Sequence, residues 1–138
     1  MNIEEYYAII RKEPDFILWK EEKYFCLIIR NLELLNLCGY VGVTTNSKLY
    51  KKDYHEEELL NIDIHGGLTF SGLHDSYSVE GYPSDIWWIG FDCAHCYDIT
   101  KSYIEYEYVE DAEYRDIKYV KNQIRILLGA IKEYDNRL

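Results

Sequence analysis

Between Asn61 and Asp98 the chain gathers residues able to do chemistry: Asp63, His65, Gly66, Gly67, Thr69 and Ser71, then Trp87, Trp88, Asp92, Cys93, His95 and Asp98. Apolar, strand-like runs that carry so many short polar groups are costly to bury unless those groups face one another or a ligand. A histidine beside a carboxylate suits general-base work or metal ligation, since its ordinary pKa of about 6.5 serves either role. His65, Asp92 and His95 are therefore the candidate acid, base or ligand set. Cys93 is a candidate nucleophile if an imidazole activates it.

Two glycines after His65 strip the backbone of side chains, so amides at Gly66 and Gly67 could cradle an anion or an oxyanion, although a plain β-bulge uses the same pair. Thr69, Ser71 and Asp98 are expected either to order the imidazoles or to serve as turn and strand caps. Asp63, His65, Asp92 and His95 would together make a two-histidine, two-carboxylate set for a divalent cation. The CxxC of Cys93 and Cys96 lacks a second pair at zinc spacing, because Cys26, Cys38 and His74 are scattered. Trp87 and Trp88 face opposite sides of any strand, which leaves one for a core and one as an aromatic wall for a flat ligand, or else both for packing. His55 and His74 read as surface residues.

The elements that must position these groups can be read from periodicity. Ile3, Tyr6, Tyr7 and Ile10 recur at helical spacing, and Pro14 ends that helix near Lys12 or Glu13. Phe16 to Trp19 and Tyr24 to Arg30 read as a hairpin across the charged turn Lys20 to Lys23. Leu34 to Val43 continues as a strand whose Gly39 and Gly42 predict a bulge or a close approach. The polar stretch from Thr44 to Glu58 reads as an exposed loop or short helix. A loose strand is expected over Ile62 to Phe70, a loop over Leu73 to Asp85, and an interior strand over Ile86 to Phe91. Tyr103 to Val109 alternates with period two and predicts a one-sided strand bearing Glu105 and Glu107. Ile117, Val120, Ile124, Leu127, Leu128 and Ile131 define an amphipathic C-terminal helix meant to lie across the sheet. The expectation is one α+β domain over residues 1 to 138, with an antiparallel or mixed sheet.

A chain of 138 residues is long enough to bury a core without disulfides or a structural metal. Its formal charge of −10 disfavours neutralising a nucleic-acid backbone and instead favours a basic protein surface. The 15 tyrosines suit half-buried strands and binding faces. No apolar run approaches the roughly 20 residues needed to span a bilayer, and the acidic start MNIEEYY lacks a leader pattern, so a cytoplasmic chain with no membrane partner is expected. The four cysteines then read as reduced thiols, Cys26 and Cys38 as buried ones. Tyr-rich edge strands make a homodimer through a sheet edge an open expectation.

In LCGYVGV (Leu37 to Val43), HGGLTFSG (His65 to Gly72), WWIGFDCAH (Trp87 to His95) and YRDIKYVKNQI (Tyr114 to Ile124), the chain resembles a family of small, uncharacterised bacteriophage and prophage proteins. The likeness covers most of the chain from Leu37 onward. In that family a Gly-Asp follows the AH segment after one residue; here Cys96-Tyr97-Asp98 stands, which puts any family role for Cys96 in doubt. The resemblance implies a mobile-element origin and a common polar site drawing on His65, Gly66, Gly67, Asp92 and His95. It implies no particular reaction. Three functions fit: a counter-defence accessory protein binding, with or without hydrolysing, a small nucleotide-like ligand; an acidic inhibitor of a host defence protein, presenting Glu56, Glu57, Glu58, Glu105, Glu107, Glu110 and Asp111 to a basic groove in the manner of an anti-CRISPR factor; and a metal-dependent hydrolase.

Overall fold

In the computed structural model, which describes residues 1–73, 81–106 and 111–138, five strands form one antiparallel sheet in the order β1-β2-β3-β5-β4. Helix α1 (Ile3–Lys12) begins at a capping box. The Asn2 side chain accepts from the Glu5 amide at 2.8 Å while the Glu5 carboxylate reaches back to the Asn2 amide. The extended conformation of Glu13, just before Pro14, ends the helix.

β1 (Phe16–Glu21) and β2 (Tyr24–Arg30) form the expected hairpin, closed by the Glu21 and Tyr24 pair, with Glu22 at φ 56° in the turn. β3 (Leu37–Val43) is buried along its whole length and lies between β2 and β5 (Trp87–Asp92). Its glycines make no bulge, because pairing continues unbroken through Gly39 and Gly42. The space is taken instead by neighbouring side chains: a Cβ on Gly39 would stand 2.6 Å from the Phe91 ring, and one on Gly42 2.8 Å from that of Trp88.

Both faces of the sheet are apolar. Helix α4 (Ile117–Asp135) covers one of them, laying Val120, Ile124, Leu127, Leu128 and Ile131 on Cys26, Ile28, Val41, Ile89 and Phe91. On the other face Phe25, Leu27, Tyr40, Ile86 and Trp88 form a second cluster. The molecule is thus a single α+β domain with a short N-terminal helix and a C-terminal helix on the sheet.

Two expected strands differ from this. Ile62 to Phe70 is not a strand: Gly66 (φ 66°) and Gly67 (φ 80°) turn the backbone, and the Gly67 amide closes on the Ile64 carbonyl at 2.8 Å. Pairing starts only at Phe70, in the short β4 (Phe70–Leu73). Of the strand expected over Tyr103 to Val109, the described part, Tyr103 to Tyr106, is helical instead: Lys101–Tyr106 forms helix α3, begun by Thr100, whose Oγ1 accepts from the Tyr103 amide at 3.3 Å, and the remainder lies outside the described residues. Tertiary contact outweighs the period-two pattern there, with Tyr7 of α1 donating to Glu105. A fourth short helix, α2 (Glu57–Leu60), lies in the polar stretch. Glu107, Glu110 and His74, with most of the loop expected over Leu73 to Asp85, lie outside the described residues. Among the described residues no helix is long and apolar enough to cross a membrane.

Candidate functional site

The Gly66-Gly67 turn carries His65 against the loop that follows β5 and against the first turns of α4. His65 is held at three points. Its amide donates to Gln123 Oε1 at 2.9 Å, its Nε2 lies 2.8 Å from Asp98 Oδ2, and its Nδ1 lies 2.7 Å from the Tyr119 hydroxyl. A carboxylate can only accept, so Nε2 carries the proton to Asp98, and in the neutral ring Nδ1 then receives the Tyr119 O–H.

Asp98 is the centre of this arrangement. Its side chain is wholly buried and accepts from His65 Nε2, from the His95 amide at 3.0 Å and from Arg115 Nε at 2.9 Å. A carboxylate that deep is tolerable only because a guanidinium and two further donors surround it. The loop is strapped to the chain before α4, where Ile99 donates to the Glu113 carbonyl and Glu113 to that of Tyr97, both at 2.8 Å. Arg115 also stacks over the Tyr119 ring, its guanidinium carbon 4.9 Å from the centroid. Burial pushes the Tyr119 phenol above its ordinary value, with Arg115 opposing the shift, so its hydroxyl is protonated at neutral pH.

Beside this saturated hub lies a more open pair. Asp92, at the end of β5, accepts from the Ala94 amide at 3.0 Å and from Thr69 Oγ1 at 2.9 Å. His95 stands over Gly66, where a Cβ would fall 2.2 Å from its ring; only a bare, left-handed backbone fits there. Its Nε2 is 3.1 Å from Asp92 Oδ1, the distance of an ion pair, but the approach is misaligned for a hydrogen bond and this buried nitrogen has no hydrogen-bond partner among the described residues. The side chains of His95 and Asp92 are about a third exposed, at 32% and 30%. The two imidazole centroids are 6.0 Å apart. The structure therefore brings His65, Gly66, Thr69, Asp92, His95 and Asp98 together from two distant stretches.

Other candidates stand elsewhere. Cys93 is sealed in the main core, and burial, with Asp98 nearby, pushes its thiol far up, which denies it a thiolate for nucleophilic attack. The Gly67 amide is spent inside its turn, so the expected amide cradle reduces to the exposed backbone of Gly66. Ser71 Oγ accepts from the Tyr54 amide at 3.0 Å and ties a loop to β4. Trp87 and Trp88 do face opposite sides of the sheet, but they begin β5 while Asp92 ends it, roughly 13 to 17 Å away along a strand. Trp87 donates to the Lys52 carbonyl at 2.9 Å and Trp88 is core, so neither walls the imidazole site. Among the described residues no group of three His, Cys, Asp or Glu side chains is arranged to hold a metal ion, so the set of Asp63, His65, Asp92 and His95 is not assembled. All four cysteines are free, and the exposed Cys96 is separated by burial from Cys93.

Arg115, Tyr119 and Gln123 escape a reading centred on the histidine motifs. Their signal is a stripe of polar residues four apart leading into the C-terminal helix, on the side next to its apolar face. Arg30 escapes too: it is buried and joins Glu13, Asp15 and Tyr114, fixing α1 and β2 to the start of α4. No protein-family model, curated protein or solved structure was found to match the chain.

Proposed function

We propose that the chain is an accessory protein of phage type whose His95 and Asp92, set on the His65 and Asp98 hub, bind a small nucleotide-like molecule. The observation that carries this is the pair of His95 and Asp92, both side chains about a third exposed, in a cluster whose other imidazole is held at both nitrogens. A partly exposed imidazole and carboxylate beside a side-chain-free backbone form a place that a ligand's donor and acceptor edges can meet. Exposed Thr69 and Gly66 border the same spot. Mobile-element origin and a counter-defence role rest on the motif resemblance.

A thermal-shift panel of nucleosides, cyclic and linear nucleotides and dinucleotides, with and without magnesium, tests this. At least one member should raise Tm for the wild type and fail to do so for His95→Ala, whose own Tm should be close to that of the wild type. A panel without a single His95-dependent shift would overturn the proposal.

A second reading, an acidic inhibitor that occupies a basic protein groove, is favoured by a different observation. Glu57, Glu58 and Glu133 line a hollow of about 440 Å³ between α2 and the end of α4. In that case reversing Glu57, Glu58 and Glu133 to lysine should abolish activity while His95→Ala leaves it intact.

A further inference from the structure

The same hub contains a second arrangement: a phenol, an imidazole and a buried carboxylate in series. Tyr119 donates to His65 Nδ1 at 2.7 Å, and His65 Nε2 donates to Asp98 at 2.8 Å. This is the order of groups by which a base, oriented by a carboxylate, draws a proton from a hydroxyl nucleophile. Tyr119 also lines a hollow of about 440 Å³, together with Asp116, Lys118, Asn122 and Arg125. Asp116 is occupied in capping α4, and neither Lys118 nor Arg125 has an ion pair among the described residues. In a chain of charge −10, a hollow lined by Tyr119 and by two such cations against one carboxylate is a local anion-attracting spot.

We propose that Tyr119 is a hydroxyl nucleophile, activated by His65 and Asp98, toward an anionic phosphoryl ester held by Lys118 and Arg125. In the step, the Tyr119 O–H proton passes to His65 Nδ1 as the phenolic oxygen bonds to phosphorus. The ester's P–O bond opposite the phenolic oxygen breaks, and its leaving oxygen takes a proton from solvent, giving an alcohol and a phosphotyrosyl chain with the imidazole protonated. Water attacking that phosphorus then breaks its bond to the phenolic oxygen, which takes the proton back from His65 Nδ1, and phosphate is released. Asp98 is a positioning residue here, holding the imidazole with Nδ1 toward Tyr119. The proposal goes beyond the binding reading above, because this hollow is lined by none of His95, Asp92, Gly66 and Thr69 and meets that site only through the His65 and Asp98 hub.

An electrophilic probe tests this without any member of the nucleotide panel, so the two proposals can fail separately. An aryl sulfonyl fluoride loses fluoride as the tyrosine oxygen bonds to sulfur, and peptide mapping by mass spectrometry locates the adduct. The internal controls are Tyr97 and Tyr106, which are 53% and 82% exposed. In the wild-type chain at neutral pH, well below the phenol range near pH 10, Tyr119 should label at least about tenfold faster than either. A carboxylate-bearing probe should outpace a neutral one, and the doubly reversed chain, Lys118→Glu with Arg125→Glu, should lose that preference. His65→Gln should bring Tyr119 to the control rate. Labelling of wild-type Tyr119 no faster than Tyr106, or a rate governed only by phenol ionisation, would overturn the nucleophile; equal rates for the two probes would overturn the anionic substrate.

Discussion

At the scale of single residues, Asp98 and Gly66 carry the site in different ways. Asp98 balances a largely buried guanidinium and fixes the His65 tautomer, so Asp98→Asn leaves Arg115 facing a neutral amide. Breaking such a pair should cost roughly 2 to 3 kcal/mol, less than for a fully buried ion because Arg115 keeps some contact with water. Urea unfolding measures it, and a change within about 0.5 kcal/mol would contradict the assignment of Asp98 as hub. The two glycines of the turn separate close approach from backbone conformation. Both have positive φ, but only at Gly66 would a Cβ strike His95, whereas the space over Gly67 is open. Gly67→Ala should therefore cost about 1 kcal/mol, and Gly66→Ala roughly 2 kcal/mol or more with displacement of the His95 imidazole signals. Equal costs, with His95 unmoved in both, would contradict the stacking of His95 on that backbone.

Among the elements, those whose pattern is enforced by the core are legible in the sequence. The helix from Ile117 follows from six apolar residues at three and four residue steps, and the first hairpin from two β-rich runs around a charged turn. Tyr103 to Tyr106 misleads because YIEYEY alternates as well as any strand, while the deciding facts, the Thr100 cap and the docking of Glu105 on Tyr7, involve partners its local pattern does not reveal. The site is legible in part for the same reason. His65, Asp92, His95 and Asp98 stand out as polar residues in apolar runs, but the burial that silences Cys93 and the helix stripe that supplies Arg115 and Tyr119 depend on tertiary packing. One local feature is open to test: Glu22 holds φ 56° in the hairpin turn, where a side chain is strained. Glu22→Gly should stabilise the chain by about 0.5 kcal/mol, the relief of strain being offset partly by chain entropy and by the loss of an exposed pair with Lys132. A lower urea midpoint in the glycine variant would contradict that strain.

For the whole molecule, the sheet is buried on both faces, and that burial sets a pH limit. Burial, with Glu21 nearby, pushes the Cys26 thiol up to about 12, and burial with Asp92 nearby pushes Cys38 up to about 11. Their folded values lie above the roughly 8.5 of an unfolded chain, so above that pH the unfolded state has shed protons the folded state still holds. Stability is then present in full below about pH 8.5 and is lost as pH climbs toward about 11 and 12, by on the order of 1 kcal/mol per pH unit for each thiol. Urea midpoints under reducing conditions at about pH 8 and about pH 10.5 should differ accordingly, and an unchanged midpoint would contradict the burial of these thiols. The molecule as a whole is acidic, yet the proposed ligand site is built from two imidazoles, a guanidinium and bare backbone as well as two carboxylates, which gives a nucleotide-like molecule polar edges to meet despite the surrounding field. The most direct measurement is imidazole nitrogen NMR during titration with the nucleotide panel. A ligand should shift His95 strongly, with the Gly66 and Thr69 amides, and leave the His65 signals in place, held by Tyr119 and Asp98. Ligand-induced shifts confined to the groove of Glu57, Glu58 and Glu133, with His95 unmoved, would contradict the account.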